Sequence, residues 1–284
     1  MRILLTGSKG QVGSALVRAL APLGELCARD RQGLDLLDLQ SIKNAVAKVK
    51  PDIIINAAAY TAVDRAEREK DLAYAVNVEA VKELAREANS VGALLIHFST
   101  DYVFDGEKPT PYVETDAPNP LSVYGCSKLE GERAVAASGC RHFIFRTSWV
   151  YGPTGRNFMH AILTAAKTKP ELRVVDDQRG APTSSEAIAG AVAQVLASPD
   201  LSRKASGLYH LSAGGETTWR GFAAAILQSK GIKTPVLAIR SDEYPVVASR
   251  PKNSLLDSSK ISAAFGVALP DWRLGMAAVI VAIH

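Results

Sequence analysis

The 284-residue sequence predicts an α/β fold: a doubly wound parallel sheet with a smaller, partly interleaved C-terminal domain. Three observations carry that expectation. Strand-length apolar runs alternate with helical periodicity through the first half, a glycine-rich turn follows the first run, and the rhythm breaks up around prolines after Thr147. Strands bounded by polar turns and each followed by a helix build βαβ units, whose right-handed crossovers give a parallel sheet covered on both faces.

The first strand is Ile3 to Thr6, too short an apolar run for a signal peptide. Val12, Leu16 and Leu20 then share one helical face. Leu26 to Ala28 is the second strand, and Ile42, Ala45, Val46 and Val49 form the next amphipathic stripe. Ile53 to Ile55 follows, then a helix with Val81, Leu84, Ala85 and Ala88 inward, then strands at Leu94 to Phe98 and Phe143 to Phe145. Beyond Thr147, Pro153, Pro170, Pro182, Pro199, Pro235, Pro245, Pro251 and Pro270 interrupt shorter elements. Helical stretches Met159 to Ala166 and Glu186 to Leu196, and an extended stretch Leu208 to Leu211, suit a second region. Residues 1–150 are thus expected as one domain and 151–284 as another that returns in part to the first sheet. The apolar run Met276 to Ile283 is less than half of a membrane crossing, so it is expected as a closing helix or interface patch.

Composition narrows the class of function. With 47% apolar and 22% charged residues, the chain is neither disordered, nor collagen-like, nor a disulfide-stapled miniprotein. Its 33 basic and 29 acidic residues leave a charge of +4, spread evenly, which points away from nucleic acid and toward small-molecule chemistry. Cys27, Cys126 and Cys140 form no CxxC pair and are too few for a disulfide framework, so reduced thiols in a cytoplasmic protein are expected.

The first strand ends in Gly7-Ser8-Lys9-Gly10-Gln11-Val12-Gly13. Glycines there turn the chain sharply, let a pyrophosphate approach the backbone and let the helix pack on the sheet, while the helix start offers N–H donors to the anion. Glycine also serves plain tight turns, so the context matters. Asp30 follows the second strand about 20 residues on, where an acid accepts from an adenosine ribose. Arg29 and Arg31 flank it and suit a ribose 2′-phosphate instead, so the acid favours NAD and the arginines NADP. A solvated turn is the plainer reading of all three. The third strand ends in Asn56-Ala57-Ala58-Ala59-Tyr60-Thr61, whose small residues suit either a cofactor lying close over the sheet or tight helix packing.

The fourth strand finishes with His97-Phe98-Ser99-Thr100-Asp101, and Tyr124-Gly125-Cys126-Ser127-Lys128 lies beyond it. On a helix, YxxxK puts Tyr124 and Lys128 on one face, where the ammonium is expected to favour phenolate and lower the tyrosine pKa. With the Thr100 hydroxyl at a neighbouring strand end, the three groups can polarise a ketone and protonate it as hydride arrives, with no metal.

On these residues the sequence resembles the extended short-chain dehydrogenase/reductase superfamily and, within it, the dTDP-4-dehydrorhamnose reductase family. The likeness runs nearly end to end and is carried further by Asp64 in Ala62-Val63-Asp64, by Tyr102-Val103-Phe104, by Arg146-Thr147-Ser148-Trp149-Val150-Tyr151-Gly152 and by Asp177-Gln178-Arg179-Gly180-Ala181-Pro182-Thr183. The resemblance implies a Rossmann-type domain with NADPH or NADH held by Gly10, Gln11, Val12, Gly13, Asp30, Asp35, Leu36, Ala58, Ala59, Tyr60 and Thr61. It implies Thr100, Tyr124 and Lys128 as catalytic residues, with Tyr124, Lys128 (on the nicotinamide ribose), Gly7 and Arg31 also touching the dinucleotide, and Thr100, Asp101 and Trp149 against a dTDP-linked 4-keto-6-deoxysugar. The implied reaction is reduction of the C4 ketone of dTDP-4-dehydro-β-L-rhamnose, in a monomer or homodimer without nucleic acid or membrane partners. One departure bears on metal. Relatives joined through Mg²⁺ use three glutamates, and only Glu186 matches; the other positions read Ala15 and Ala282, so no structural magnesium is expected.

Two other readings compete. A dehydratase or epimerase of the same superfamily would place a Thr-Asp-Glu run where this chain has Thr100-Asp101-Tyr102. A non-catalytic NADP-binding regulatory subunit, similar to the β subunit of methionine adenosyltransferase, would not need Thr100, Tyr124 and Lys128. Trp149 reads equally as a core or a sugar-stacking residue. His97 reads as core, and Arg250-Pro251-Lys252 suits either a pyrophosphate held by charge-assisted bonds or a solvated loop, so Arg250 is not counted among the site residues.

Overall fold

A computed structural model describes residues 1–283 of the chain. The first half runs β1 (Arg2–Thr6), α1 (Gln11–Leu20), β2 (Glu25–Arg29), α2 (Leu39–Val49), β3 (Ile53–Asn56), α3 (Val63–Ala66), α4 (Lys70–Tyr74), α5 (Ala80–Val91), β4 (Leu94–Thr100), α6 (Val123–Ala137) and β5 (His142–Thr147). The second half runs β6 (Val150–Tyr151), α7 (Phe158–Ala166), β7 (Leu172–Val175), β8 (Arg179–Gly180), β9 (Thr183–Ser184), α8 (Ser185–Leu196), β10 (Gly207–His210), β11 (Thr217–Thr218), α9 (Trp219–Ser229), β12 (Val236–Ile239), α10 (Ser259–Phe265) and α11 (Trp272–Val281). Each predicted strand and helix has its counterpart, most of them longer by a residue or two; β10 is shifted back by one residue from Leu208–Leu211, and the closing helix α11 begins at Trp272 and ends at Val281. The two-residue strands were not legible, because each forms only by pairing with a distant segment.

Six parallel strands form the main sheet in the order β2-β1-β3-β4-β5-β10. The chain steps from β1 to β2 on one side and returns to β3 on the other, so the crevice at the carboxyl ends of β1 and β3 is the switch point where such sheets take ligands. Local chemistry sets the helices that frame it. The Asp38 side chain accepts from the Gln40 amide to start α2, and the Ser122 side chain accepts from the Gly125 amide to start α6. Between α4 and α5, Ala75–Glu79 continues the helix as a π-turn.

Strand alternation divides the core between the two faces. Ile3, Leu5, Ile55, Ile96, Phe143 and Phe145 point one way, against Leu16 and Leu20 of α1 and Ile188, Val192 and Val195 of α8. Leu4, Ile54, Leu95 and Ile144 point the other way, against α2 and α5 through Ile42, Val46, Val81, Leu84 and Ala88, and against Val135 of α6. A third cluster belongs to the later half, with Tyr151, Met159, Phe222, Ile226, Trp272 and Met276 buried together. The second half therefore lends α8 and β10 to the sheet while keeping a core of its own. Met276, Val279 and Ile280 of the C-terminal run are buried, whereas Leu274 and Val281 are exposed. No helix among the described residues is long and apolar enough to cross a membrane.

Candidate active site

Gly7 turns the chain after β1 with φ +68°, a conformation that favours glycine. A Cβ there would lie 2.7 Å from the Ala58 nitrogen, and one on Gly13 would lie 2.0 Å from the Gly7 carbonyl oxygen. Crowding between the turn, α1 and the loop after β3 thus demands glycine at both. Gly10 is the N-cap of α1 and makes no side-chain capping bond, and the first turn holds no acid. The amides of Gln11, Val12 and Gly13 are left to meet an anion, and a cradle that a Cβ would fill suits a pyrophosphate.

Past β2, Asp30 Oδ1 accepts from the Gln32 and Gly33 amides at 3.1 and 3.0 Å, and Oδ2 meets Lys9 Nζ at 2.5 Å. The Lys9 bond, then the Gly33 amide, holds this carboxyl below the usual carboxylate range. A ribose hydroxyl would compete with Lys9 for this carboxylate. Sequence reading passed over Lys9, whose place beside Asp30 follows only from the pairing of β1 with β2. Arg31 Nε lies 3.9 Å from Asp35 Oδ1 on the surface. Leu36 is buried with Leu34 and Ile42, so its side chain is occupied in the core.

The loop after β3 is held by two asparagines. The Ala58 amide donates to Asn56 Oδ1 at 3.3 Å, and the Tyr60 amide donates to Asn77 Oδ1 at 2.9 Å. Asn77 sits in the π-turn, wholly buried, and its Nδ2 also donates to the Tyr60 carbonyl and to Ser127 Oγ of α6. A Cβ on Gly131 of α6 would lie 2.3 Å from the Asn77 carbonyl oxygen, so the two helices touch backbone to side-chain-free backbone. Tyr60 packs against the cluster formed by Ala66, Ala73 and Tyr124, and Thr61, next in the chain, is exposed.

Thr100 ends β4. Its hydroxyl donates to Asp101 Oδ1 at 3.0 Å and accepts from the Tyr102 amide at 3.2 Å. Tyr124 and Lys128 stand one turn apart on α6, both buried. The expected effect of Lys128 on the phenol is not what the protein's own groups produce. Burial pushes Tyr124 up to about 12, against the Thr100 hydrogen bond and with help from the Asp101 charge. Lys128 is turned away, donating to the Phe98 carbonyl at 2.7 Å with His97 Nε2 at 3.4 Å, and burial brings it down to about 8 despite the charge of Glu132. Burial, with the Ser254 and Thr100 hydrogen bonds opposing, also raises the Asp101 carboxyl to about 6, and its Oδ2 has no partner.

Behind α6, Glu132 accepts from both Nε and Nη2 of Arg146 at 2.8 and 2.6 Å and from the Ser99 hydroxyl, all buried. Trp149 takes φ +47° and stacks on Trp219 with ring centroids 3.6 Å apart. A Cβ on Gly180 would come within 2.4 Å of the Trp149 ring, so the indole is half-buried between a glycine and a second indole rather than in the core. Trp219 carried no signal in the sequence beyond being a tryptophan at a helix start. Arg250, not counted among the site residues, is bound: its Nη2 donates to Asp64 Oδ2 at 2.8 Å. Glu186 Oε1 accepts from Arg18 Nη2 at 2.6 Å, and among the described residues no three His, Cys, Asp or Glu side chains gather as metal ligands.

The pattern of the RmlD substrate binding domain matches residues 1–284. A dTDP-4-dehydrorhamnose reductase of Shigella flexneri is 45% identical over 286 residues, covering 97% of this chain and 96% of its own. Among solved structures, a dTDP-4-dehydrorhamnose reductase of Clostridium acetobutylicum superposes with a TM-score of 0.94 at 38% identity, covering 99% of this chain and 98% of its own. One from Bacillus anthracis, in complex with NADP, superposes with a TM-score of 0.93 at 34% identity and the same coverage.

Proposed function

The chain belongs to the RmlD substrate binding domain family, and from that premise we propose that it uses NADPH or NADH to reduce the C4 ketone of dTDP-4-dehydro-β-L-rhamnose to dTDP-L-rhamnose. We read residues 1–150 as the dinucleotide unit and 151–284 as the substrate region, working in the cytoplasm as a monomer or homodimer. The observation that carries the reading is the burial of Thr100 at the end of β4 together with Tyr124 and Lys128 one turn apart on α6, the phenol in a cluster joined by Tyr60 from the loop beside the switch-point crevice.

The dinucleotide supplies hydride when bound; every other task falls to side chains of this chain. The turn from Gly7 to Gly13 and the start of α1 would hold its pyrophosphate, Asp30, Arg31 and Lys9 its adenosine end, and Ala58 to Thr61 its nicotinamide end. Thr100 and Tyr124 hydrogen-bond the ketone oxygen, which polarises the carbonyl and fixes the face open to reduction. As negative charge gathers on that oxygen, the Tyr124 phenol gives up its proton. A phenol held near 12 still delivers a proton downhill to an alkoxide, and Lys128, as ammonium, steadies the phenolate that remains. Trp149 closes over the sugar with Trp219 behind it, and Asp101 offers its unpartnered Oδ2 to a sugar hydroxyl.

Position 102 argues against elimination chemistry. Tyr102 lies edge-on to Tyr124 with centroids 5.6 Å apart, and burial raises its phenol, so no carboxylate base stands there. The test is loss of NADPH absorbance with a panel of nucleotide-linked 4-keto-6-deoxysugars made in situ. Turnover with the dTDP-linked rhamnose precursor is expected, and absence of net NADPH consumption with every member would defeat the proposal.

A further inference from the structure

His97, expected as core, stands in a polar row that crosses the sheet. Thr6, Asn56 and His97 are register partners on β1, β3 and β4, so their side chains point to one face, the face covered by α6. Thr6 Oγ1 donates to Asn56 Oδ1 at 2.6 Å, Asn56 Nδ2 lies 3.1 Å from His97 Nδ1, and His97 Nε2 lies 3.4 Å from Lys128 Nζ. All four side chains are buried, His97 wholly.

A neutral imidazole has one hydrogen for two nitrogens, and burial, then the Lys128 charge, keeps His97 neutral. The row therefore has two settings. In one, the Ala58 amide donates to Asn56 Oδ1 and Asn56 Nδ2 faces His97 Nδ1, which leaves the imidazole hydrogen on Nε2. That N–H has nothing to donate to if Lys128 is an ammonium, so this setting suits the neutral amine. In the other, the Asn56 amide turns over, His97 donates from Nδ1 to Asn56 Oδ1, and its Nε2 lone pair accepts from the ammonium in a charge-assisted bond. The Thr6 hydroxyl serves either setting, as donor or acceptor. Only the Ala58 N–H loses its partner. A proton on Lys128 thus frees an amide donor in the loop proposed to lie against the dinucleotide.

No other charge is placed to do this. On α6 itself, Glu132 is committed to Arg146 of β5 and Ser99 of β4, and Tyr124 stands one turn back beside Thr100 and Asp101. β3 and the π-turn present the neutral Asn56 and Asn77.

We propose that His97 is a positioning residue for the reduction, accepting from the Lys128 ammonium and linking that proton through Asn56 to the Ala58 amide. The proposal rests on the dinucleotide-dependent reading above. By reciprocity, a dinucleotide that engages the Ala58 N–H draws a proton onto Lys128.

Calorimetric titration of the purified full chain with NADH, which has no 2′-phosphate to titrate, in two pH 8 buffers of different ionisation enthalpy counts that proton. Uptake of roughly half a proton per NADH is expected for the wild type, given a group that titrates near pH 8. His97→Gln, which places an acceptor at the Nε2 position but nothing at Nδ1, is expected to hold the ammonium yet lose the uptake, because the link to Asn56 is cut. His97→Asn, which reaches Asn56 but not Lys128, is expected to lose it; should that variant not fold, His97→Leu replaces it. In turnover, between pH 6.5 and pH 8 the wild type and His97→Gln should fall about twofold, and His97→Asn about eightfold as its limb moves roughly one unit down. No uptake by the wild type, or equal uptake and equal limbs in all variants, overturns the proposal. A wild type that takes up the proton yet reduces no 4-ketosugar would instead overturn the reductase reading.

Discussion

The two faces of the central sheet are built to different ends. On the α1 and α8 side, strand residues are apolar from Ile3 and Ile53 to Phe143 and Phe145, turning polar only at the last residues of β4 and β5, Thr100 and Thr147. On the α6 side, the same strands begin apolar with Leu4, Ile54, Leu95 and Ile144, then turn polar toward their carboxyl ends with Thr6, Asn56, His97, Ser99 and Arg146. The α1 and α8 face supplies burial up to its carboxyl edge, where Thr100 stands. The other spends half its height on hydrogen-bonded groups that carry α6, and with it Tyr124 and Lys128. A sheet can thus place chemistry in its interior without loosening its core, provided each buried polar group finds a partner.

Substitutions on the two faces should separate activity from stability. The largest effect is expected at Tyr124→Phe, which removes the proton donor and should lower turnover by roughly 10² to 10⁴ while NADPH affinity by fluorescence titration stays near wild type. Near-normal turnover would break the comparison at its functional end. On the apolar face, Ile96→Ala should cost about 2–5 kcal/mol in urea unfolding and leave kcat unchanged. Lys128→Met should do the reverse. The folded pKa of about 8 lies below the 10.5 of an unburied lysine, so the fold penalises the charged form fully below pH 8 and less as pH climbs toward 10.5. At pH 7 the variant should therefore gain about 1–3 kcal/mol while losing activity. The same group gives kcat/KM for the dinucleotide an alkaline limb, with a fall of about twofold from pH 6.5 to pH 8. The smallest effect concerns metal. With Glu186 bound by Arg18, adding Mg²⁺ or EDTA is expected to leave both elution volume and Tm unchanged.

Much of this was legible in the sequence for a definite reason. Strand cores, the glycine turn and the helical stripe carrying Tyr124 and Lys128 are local patterns, each fixed within a few residues. What escaped depends on register and on distant partners. His97 looks like a core residue until β3 and β4 are paired and Asn56 falls beside it. Lys9 reaches Asp30 across two strands, and Trp219 meets Trp149 from a helix 70 residues away. The direction of the Tyr124 shift was misread because YxxxK spacing reveals that two groups share a face, but not that the lysine turns to Phe98 and that burial, with the Asp101 charge, governs the phenol.

Gly131 shows how little separates this arrangement from a disabled one. Tyr124 and Lys128 ride the same rigid rod, and that rod rests on the Asn77 carbonyl at a place where it has no side chain. A single methyl at that bearing acts as a shim. It would lift acid and amine together off their seats against β4, a misalignment no compensating change at either residue could correct.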